Sequence, residues 1–310
     1  MRIFVYSVVF IFGSWQSFAQ KKQVCFSIDD LPVVNYGVSD TVFQKTLMEK
    51  LIQALTKNKI PAIGFVNETK LFDHNQPISS QIGLLNEWVD SGLELGNHTF
   101  SHPDYNVMSL NEYSQNILKG ELVTSELLKR KGTSLQYFRH PFLHVGNSKE
   151  KCDSLNFFLL NHGYTVAPVT IDNEDYLFAL AYRRANDKYD RSLMNKIGAD
   201  YIDYMEKKLV YFEKQAFHLF GREINQILLL HASLLNADYV DAMAKMFRKN
   251  GYHFITMDKA LEDDAYKTAV TRFGDWGISW IDRWALSAGK SGDFFKGDPV
   301  TPAYIKKLSE

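Results

Sequence analysis

The chain has 310 residues, 45% of them hydrophobic and 23% charged, with a formal net charge of -1. That is an ordinary globular composition, long enough for one large core or two small ones, and no basic run gives it the electrostatic footprint of a nucleic-acid binder. The N-terminal stretch MRIFVYSVVFIFGSWQSFAQKK sets Arg2 before an apolar run from Ile3 to Phe12 and ends in the small-x-small pattern Ser17-Phe18-Ala19. This reads as a signal peptide over 1–19, cut near Ala19-Gln20, because the apolar run is short for a membrane span. The expectation is an exported protein, periplasmic or secreted, with no stable membrane insertion after cleavage. The two cysteines, Cys25 in a strand-like run and Cys152 in a helical one, are expected as buried free thiols, since a core of this size does not need a bridge.

Beyond the leader, short apolar runs alternate with helical patterns. QVCFSI (Gln23–Ile28) predicts a strand. Ser39-Asp40 then cap a helix whose Phe43, Leu47, Leu51 and Leu55 recur four apart. PAIGFV from Pro61 is the next strand, a helix follows around Ile82–Val89, and LELGN is a strand end. Ser109 and Glu112 form a capping box that predicts one long helix to about Lys131. LQYFRHPF predicts a strand, 148–162 a helix and YTVAPVTI a strand. The segment from Asp175 to Phe220 is the longest excursion, mostly helical and rich in charge and tyrosine. NQILLLHA predicts a buried strand, Ala237–Asn250 a helix ended by Gly251, and HFITM a strand. From about Ala260 the chain reads as helical, then irregular. Trp276, Trp280 and Trp284 recur four apart, a spacing that on one helix makes a core-facing stripe. Strands alternating with longer helices predict an α/β fold with a parallel sheet, plausibly closed into a barrel, as a single domain over 20–310 with a C-terminal extension.

The polar residues at the strand ends are chemically uniform. Asp29 and Asp30 come after the first strand, His98 and His102 after LEL, Arg139 after QYF, Asp172 and Asp175 after VTI, and His231 after ILLL. Taken singly, these residues read as a helix cap, surface charges, turn formers and a core histidine. Five strand ends that all carry metal-binding or proton-moving groups fit those separate explanations poorly. In a parallel barrel the ends meet on one face, where such barrels place their active sites.

The same residues resemble the polysaccharide deacetylases of the NodB-homology type, carbohydrate esterase family four. SIDDLP (Ser27–Pro32), HTFSH (His98–His102), RHPF (Arg139–Phe142), DNEDY (Asp172–Tyr176) and LLLH (Leu228–His231) are similar to the five family motifs and occur in family order. Two positions depart, with Leu31 where glycine is usual and Tyr176 where tryptophan is usual; both put the usual substrate in question. The resemblance implies a distorted (β/α) barrel of about seven parallel strands. It implies a metal-dependent deacetylase of N- or O-acetylated carbohydrate, with Asp30, His98 and His102 holding one divalent ion, zinc first and cobalt or nickel also compatible. Asp29 would be the general base, paired with Arg139. His231 would be the general acid, oriented by Asp175, with Asp172 as second choice. A backbone N–H near Asn35 or Tyr36 would help hold the oxyanion. Phe142, Tyr176, Pro141 and Leu229 would contact substrate. Hydrolysis of another amide or cyclic amide on the same barrel is the alternative, followed by a non-catalytic carbohydrate-binding relative.

Overall fold

The computed structural model describes residues 21–34 and 36–310; the expected signal peptide, 1–19, lies outside them. One sheet contains β1 (Gln23–Leu31), β2 (Ile63–Val66), β3 (Glu94–Asn97), β4 (Tyr137–Phe138), β5 (Thr165–Val166), β6 (Gln226–His231) and β7 (His253–Phe254), in the order β5-β4-β3-β2-β1-β6 with β7 beside β1. Every pairing in it is parallel. Val24 pairs with both Gln226 and Phe254, so β7 shares with β2 the edge of β1 opposite β6. The sheet curls until the chain beyond β5 meets β6. There Ile171 bridges Leu228, and the N–H groups of Thr170 and Ile171 both donate to the Ile227 carbonyl. The result is the expected distorted (β/α) barrel, incompletely closed.

Both faces of the central strands are apolar, as a sheet covered on two sides requires. Side chains alternate along β1. Val24, Phe26 and Ile28 belong to the large cluster under the helices. Cys25 joins Ile63, Phe65, Tyr137, Ala167 and Ile227 inside the curl. Both cysteines are buried and free.

Around the sheet run α1 (Thr41–Lys57), α2 (Ser79–Asp90), α3 (Leu110–Lys119), α4 (Leu122–Arg130), α5 (Lys149–Asn161), α6 (Asp175–Asp187), α7 (Arg191–Phe220), α8 (Leu234–Lys249), α9 (Met257–Leu261), α10 (Trp280–Ser287) and α11 (Ala303–Ser309). Asp40 caps α1 by accepting from the N–H groups of Val42 and Phe43.

Several expected elements are shorter or broken. The helix opened by the Ser109–Glu112 capping box stops at Gly120 and restarts as α4. A Cβ on Gly120 would lie 2.4 Å from the backbone of Thr99 and Phe100, so the close approach of that loop sets the break. The expected strand YTVAPVTI pairs only over Thr165–Val166 and at Ile171, and Pro168 between them has no N–H to donate. The tryptophan stripe is also corrected. Ser279 caps α10, so Trp276 stands before the helix and is 42% exposed, while Trp280 and Trp284 are buried.

Candidate metal centre and active site

The alternation that sends Cys25 and Ser27 inward carries Asp29 to the top of the curl, where it pairs in register with His231 of β6. A regular strand would turn the next side chain, Asp30, to the opposite face. Here the β1–β2 register shifts between Ile28 and Leu31, and Asp30 takes a left-handed φ of 67°. This bulge aims both carboxylates into one site. The ammonium of Lys70 donates to the Asp30 carbonyl at 2.6 Å and to that of Val33 at 3.4 Å, fastening the irregular backbone.

His98 and His102 lie in the loop after β3, which is irregular and not helical, as their flanking Gly96 and Pro103 predict. The loop is tied down by side-chain amides. The N–H of Thr99 donates to Asn97 Oδ1 at 2.7 Å, Asn67 donates to the His98 carbonyl at 2.6 Å, and the N–H of His102 donates to the Thr99 hydroxyl at 3.0 Å. Left-handed φ values at Thr99 and His102 bring both rings to the same side, centroids 4.8 Å apart.

Nδ1 of His98 lies 2.8 Å from the Arg139 carbonyl, which can only accept, so the proton sits on Nδ1 and the Nε2 lone pair faces Asp30. Burial, reinforced by His102, holds the His98 imidazolium well below its ordinary range, and burial lowers His102 as well. Burial would raise the Asp30 carboxyl, but Lys70, His231 and the two imidazoles together hold it below the carboxylate range. The ligand atoms of Asp30, His98 and His102 lie within 4.8 Å of one another. Two neutral imidazoles and one ionised carboxylate at that spacing fit a divalent cation of the zinc type.

On one side of this triad stands Asp29, with Oδ2 3.7 Å from His98 Nε2. Arg139 is fully buried and donates to both Asp29 oxygens at 3.3–3.4 Å, to Ser27 Oγ at 2.9 Å and to the Ala167 carbonyl at 2.8 Å. Its guanidinium lies 4.7 Å above the Phe65 ring. Burial raises the Asp29 carboxyl to about 6, against the pull of Arg139 and His231.

Across the site, Asp175 is completely buried and accepts from His231 Nδ1 at 2.6 Å, from the His231 N–H at 2.9 Å and from Asn236 at 2.8 Å. Burial alone would lower the His231 imidazolium; the Asp175 carboxylate outweighs it and the pKa rises to about 9. Asp172 does not share this role. Its carboxylate accepts from the Asn173 N–H at 2.8 Å, and burial, opposed by Lys208, pushes it up to about 6.

These groups open into one cavity of about 820 Å³. Phe142, 53% exposed, stands edge-on to His102 with centroids 4.4 Å apart, and Tyr176, also half exposed, has its ring 6.4 Å from that of His231. Leu229 lines the floor, while Pro141 is buried at the start of the turn Pro141–Leu143 that presents Phe142. Tyr36 donates to the Tyr176 carbonyl at 3.2 Å, closing that side; its neighbour Asn35 lies outside the described residues.

The sequence reading missed part of the lining. His140 and His144 come from the third motif and its turn, Tyr204 and Lys208 from α7, and Gly277, Asp298, Pro299, Val300 and Lys306 from the C-terminal extension. Asp298 and Lys306 had no motif to mark them. His140 and His144 sat in or beside RHPF and were detectable as histidines.

The polysaccharide deacetylase family model matches residues 17–156. Among solved structures, a peptidoglycan N-acetylglucosamine deacetylase in complex with a benzamide ligand is 15% identical, with a TM-score of 0.51 over 78% of this chain and 88% of its own. A carbohydrate esterase family 4 pseudoenzyme from Bacillus anthracis is 14% identical, with a TM-score of 0.50 over 78% of this chain and 66% of its own. A mutant of that pseudoenzyme, with restored enzymatic activity, matches at 15% identity and a TM-score of 0.50 over 78% of this chain and 68% of its own. At these identities the likeness is one of fold.

Proposed function

We propose that this chain, whose residues 17–156 match the polysaccharide deacetylase family model, is a metal-dependent hydrolase of that family that removes acetyl groups from N- or O-acetylated carbohydrate. One observation carries the reading. A single cavity holds the Asp30–His98–His102 triad, with a buried carboxylate paired to arginine on one side and a histidine–aspartate pair on the other.

Asp30, His98 and His102 would hold one divalent ion, zinc by donor type, with cobalt or nickel accepted by the same donors. Such an ion, when bound, supplies Lewis acidity towards a carbonyl and lowers the pKa of water. Asp29 takes the proton of the attacking water. Arg139 keeps that carboxylate oriented, and its other donors are committed to Ser27 and Ala167, so it does not swing away. His231 gives a proton to the departing nitrogen or oxygen from Nε2, because Nδ1 is committed to Asp175. A leaving amine needs that proton far more than an activated ester does. Phe142 and Tyr176 present rings at the cavity wall, where a sugar can stack, and a backbone N–H near Asn35 or Tyr36 would help to hold the oxyanion.

The test is acetate release by the mature protein from acetylated oligosaccharides of peptidoglycan, chitin and xylan type, with and without added zinc or cobalt. Release that is abolished by a chelator and restored by metal supports the reading. An inert panel with one metal bound per chain overturns it, in favour of another amide substrate or a binding role.

A further inference from the structure

The cavity extends past the triad to a wall built from elements outside the family-matched segment 17–156. Tyr204 and Lys208 come from α7, and Asp298 and Lys306 from the C-terminal extension. Lys208 is only 5% exposed, yet it lines the cavity and donates to Asp298 Oδ1 at 2.6 Å. Asp298 is half exposed, so the pair is not closed on itself and presents polar atoms to the cavity. The pair's position on a cavity wall therefore points to what enters the cavity. Asp172 lines the same cavity, close enough to feel the charges of Lys208 and Asp298, and stands three residues before the aspartate paired with His231. Carboxylates that accept beside an ammonium that donates match vicinal sugar hydroxyls, each of which both donates and accepts.

Resting on the deacetylase reading above, we propose that Asp172, Lys208 and Asp298 form a subsite for the hydroxyl groups of the ring next to the acetylated one.

The measurement is kcat/KM for the acetylated sugar found active in the panel, as its monosaccharide and as its trisaccharide, in wild type, Lys208→Met and Asp298→Asn. Wild type should favour the trisaccharide by about tenfold or more, the scale of one or two charge-assisted hydrogen bonds. Both variants should lose most of that ratio, mainly through KM. If Lys208→Met does not fold, Asp298→Asn decides, since Asp298 is 45% exposed in its side chain and tolerates the change. A wild type without length preference, or variants that keep the full ratio, overturns the subsite and leaves the deacetylase reading standing. A panel with no active member brings down the reading beneath it.

Discussion

Asp29 and Asp30 are neighbours in sequence and would face opposite ways in a regular strand; the bulge and the left-handed backbone at Asp30 bring both carboxylates into one site. Asp29→Asn keeps the volume and removes the basic carboxylate. The rate of acetate release should fall about a hundredfold or more, the usual scale for a lost general base, with metal stoichiometry still near one per chain. A variant with near-normal turnover would remove Asp29 from that role. Arg139→Ala is a poorer probe, because stranding a buried carboxylate costs about 3–5 kcal/mol of stability. The acid can be tested through its orienting partner. The Asp175 carboxylate raises the His231 pKa to about 9, so Asp175→Asn should lower it. The protonated acid is then lost at lower pH, and the alkaline limb of kcat/KM should move down relative to wild type at equal metal loading. A limb that stays in place would mean that His231 is not the titrating acid. The ligand set is checked by metal analysis, where His98→Ala or His102→Ala should bind well below one ion per chain.

At the scale of elements, the Pro141–Leu143 turn matters most. Phe142 and Leu143 both have left-handed φ, 56° and 55°, a conformation that costs non-glycine residues of order 1–3 kcal/mol each and persists only when its surroundings hold it. The holder is the C-terminal extension. Arg283, buried, donates to the Leu143 carbonyl at 2.8 Å and to the Trp276 carbonyl at 2.7 Å. Gly277 packs so closely that a Cβ would lie 2.1 Å from the Phe142 carbonyl oxygen. Gly277→Ala should therefore displace Phe142 from the cavity wall and raise KM for oligosaccharide several-fold; an unchanged KM would show that the contact does not shape the substrate wall. The same logic explains the split helix. The Ser109–Glu112 capping box was readable because a cap is local, and it is present with both reciprocal bonds. The break at Gly120 was not, because the loop that forces it comes from twenty residues earlier in the chain.

At the scale of the whole molecule, the parallel curl gathers five strand ends onto one face, and α7 with the C-terminal extension raises a wall beside them. We propose that the molecule works outside the cytoplasm, on the strength of the apolar start and Ser17-Phe18-Ala19. N-terminal sequencing of protein recovered from periplasm or medium should begin near Gln20, and a chain retained in membranes and beginning at Met1 would refute this. The two thiols are buried, so intact protein should react with a bulky thiol reagent only after unfolding, when two groups per chain become available.

The amino-acid sequence by itself determined the alternation of parallel strands and helices and the residues at each strand end. It did so because apolar periodicity, caps and the polar residue that ends a buried run are properties of neighbours along the chain. Its five ordered motifs named the triad, Asp29, Arg139, Asp175 and His231, and not the wall from α7 and the C-terminal extension. Only the tertiary structure decided which way those groups point. It took a register shift to turn Asp30 toward His98 and His102, and packing between the chain after β5 and β6 to bring the Asp175 carboxylate within 2.6 Å of His231 Nδ1. Likewise, only packing across the chain brought Lys208 and Asp298, 90 residues apart, to one wall of the cavity. Contacts of that kind depend on how elements close over one another, and no local pattern in either segment encodes the other.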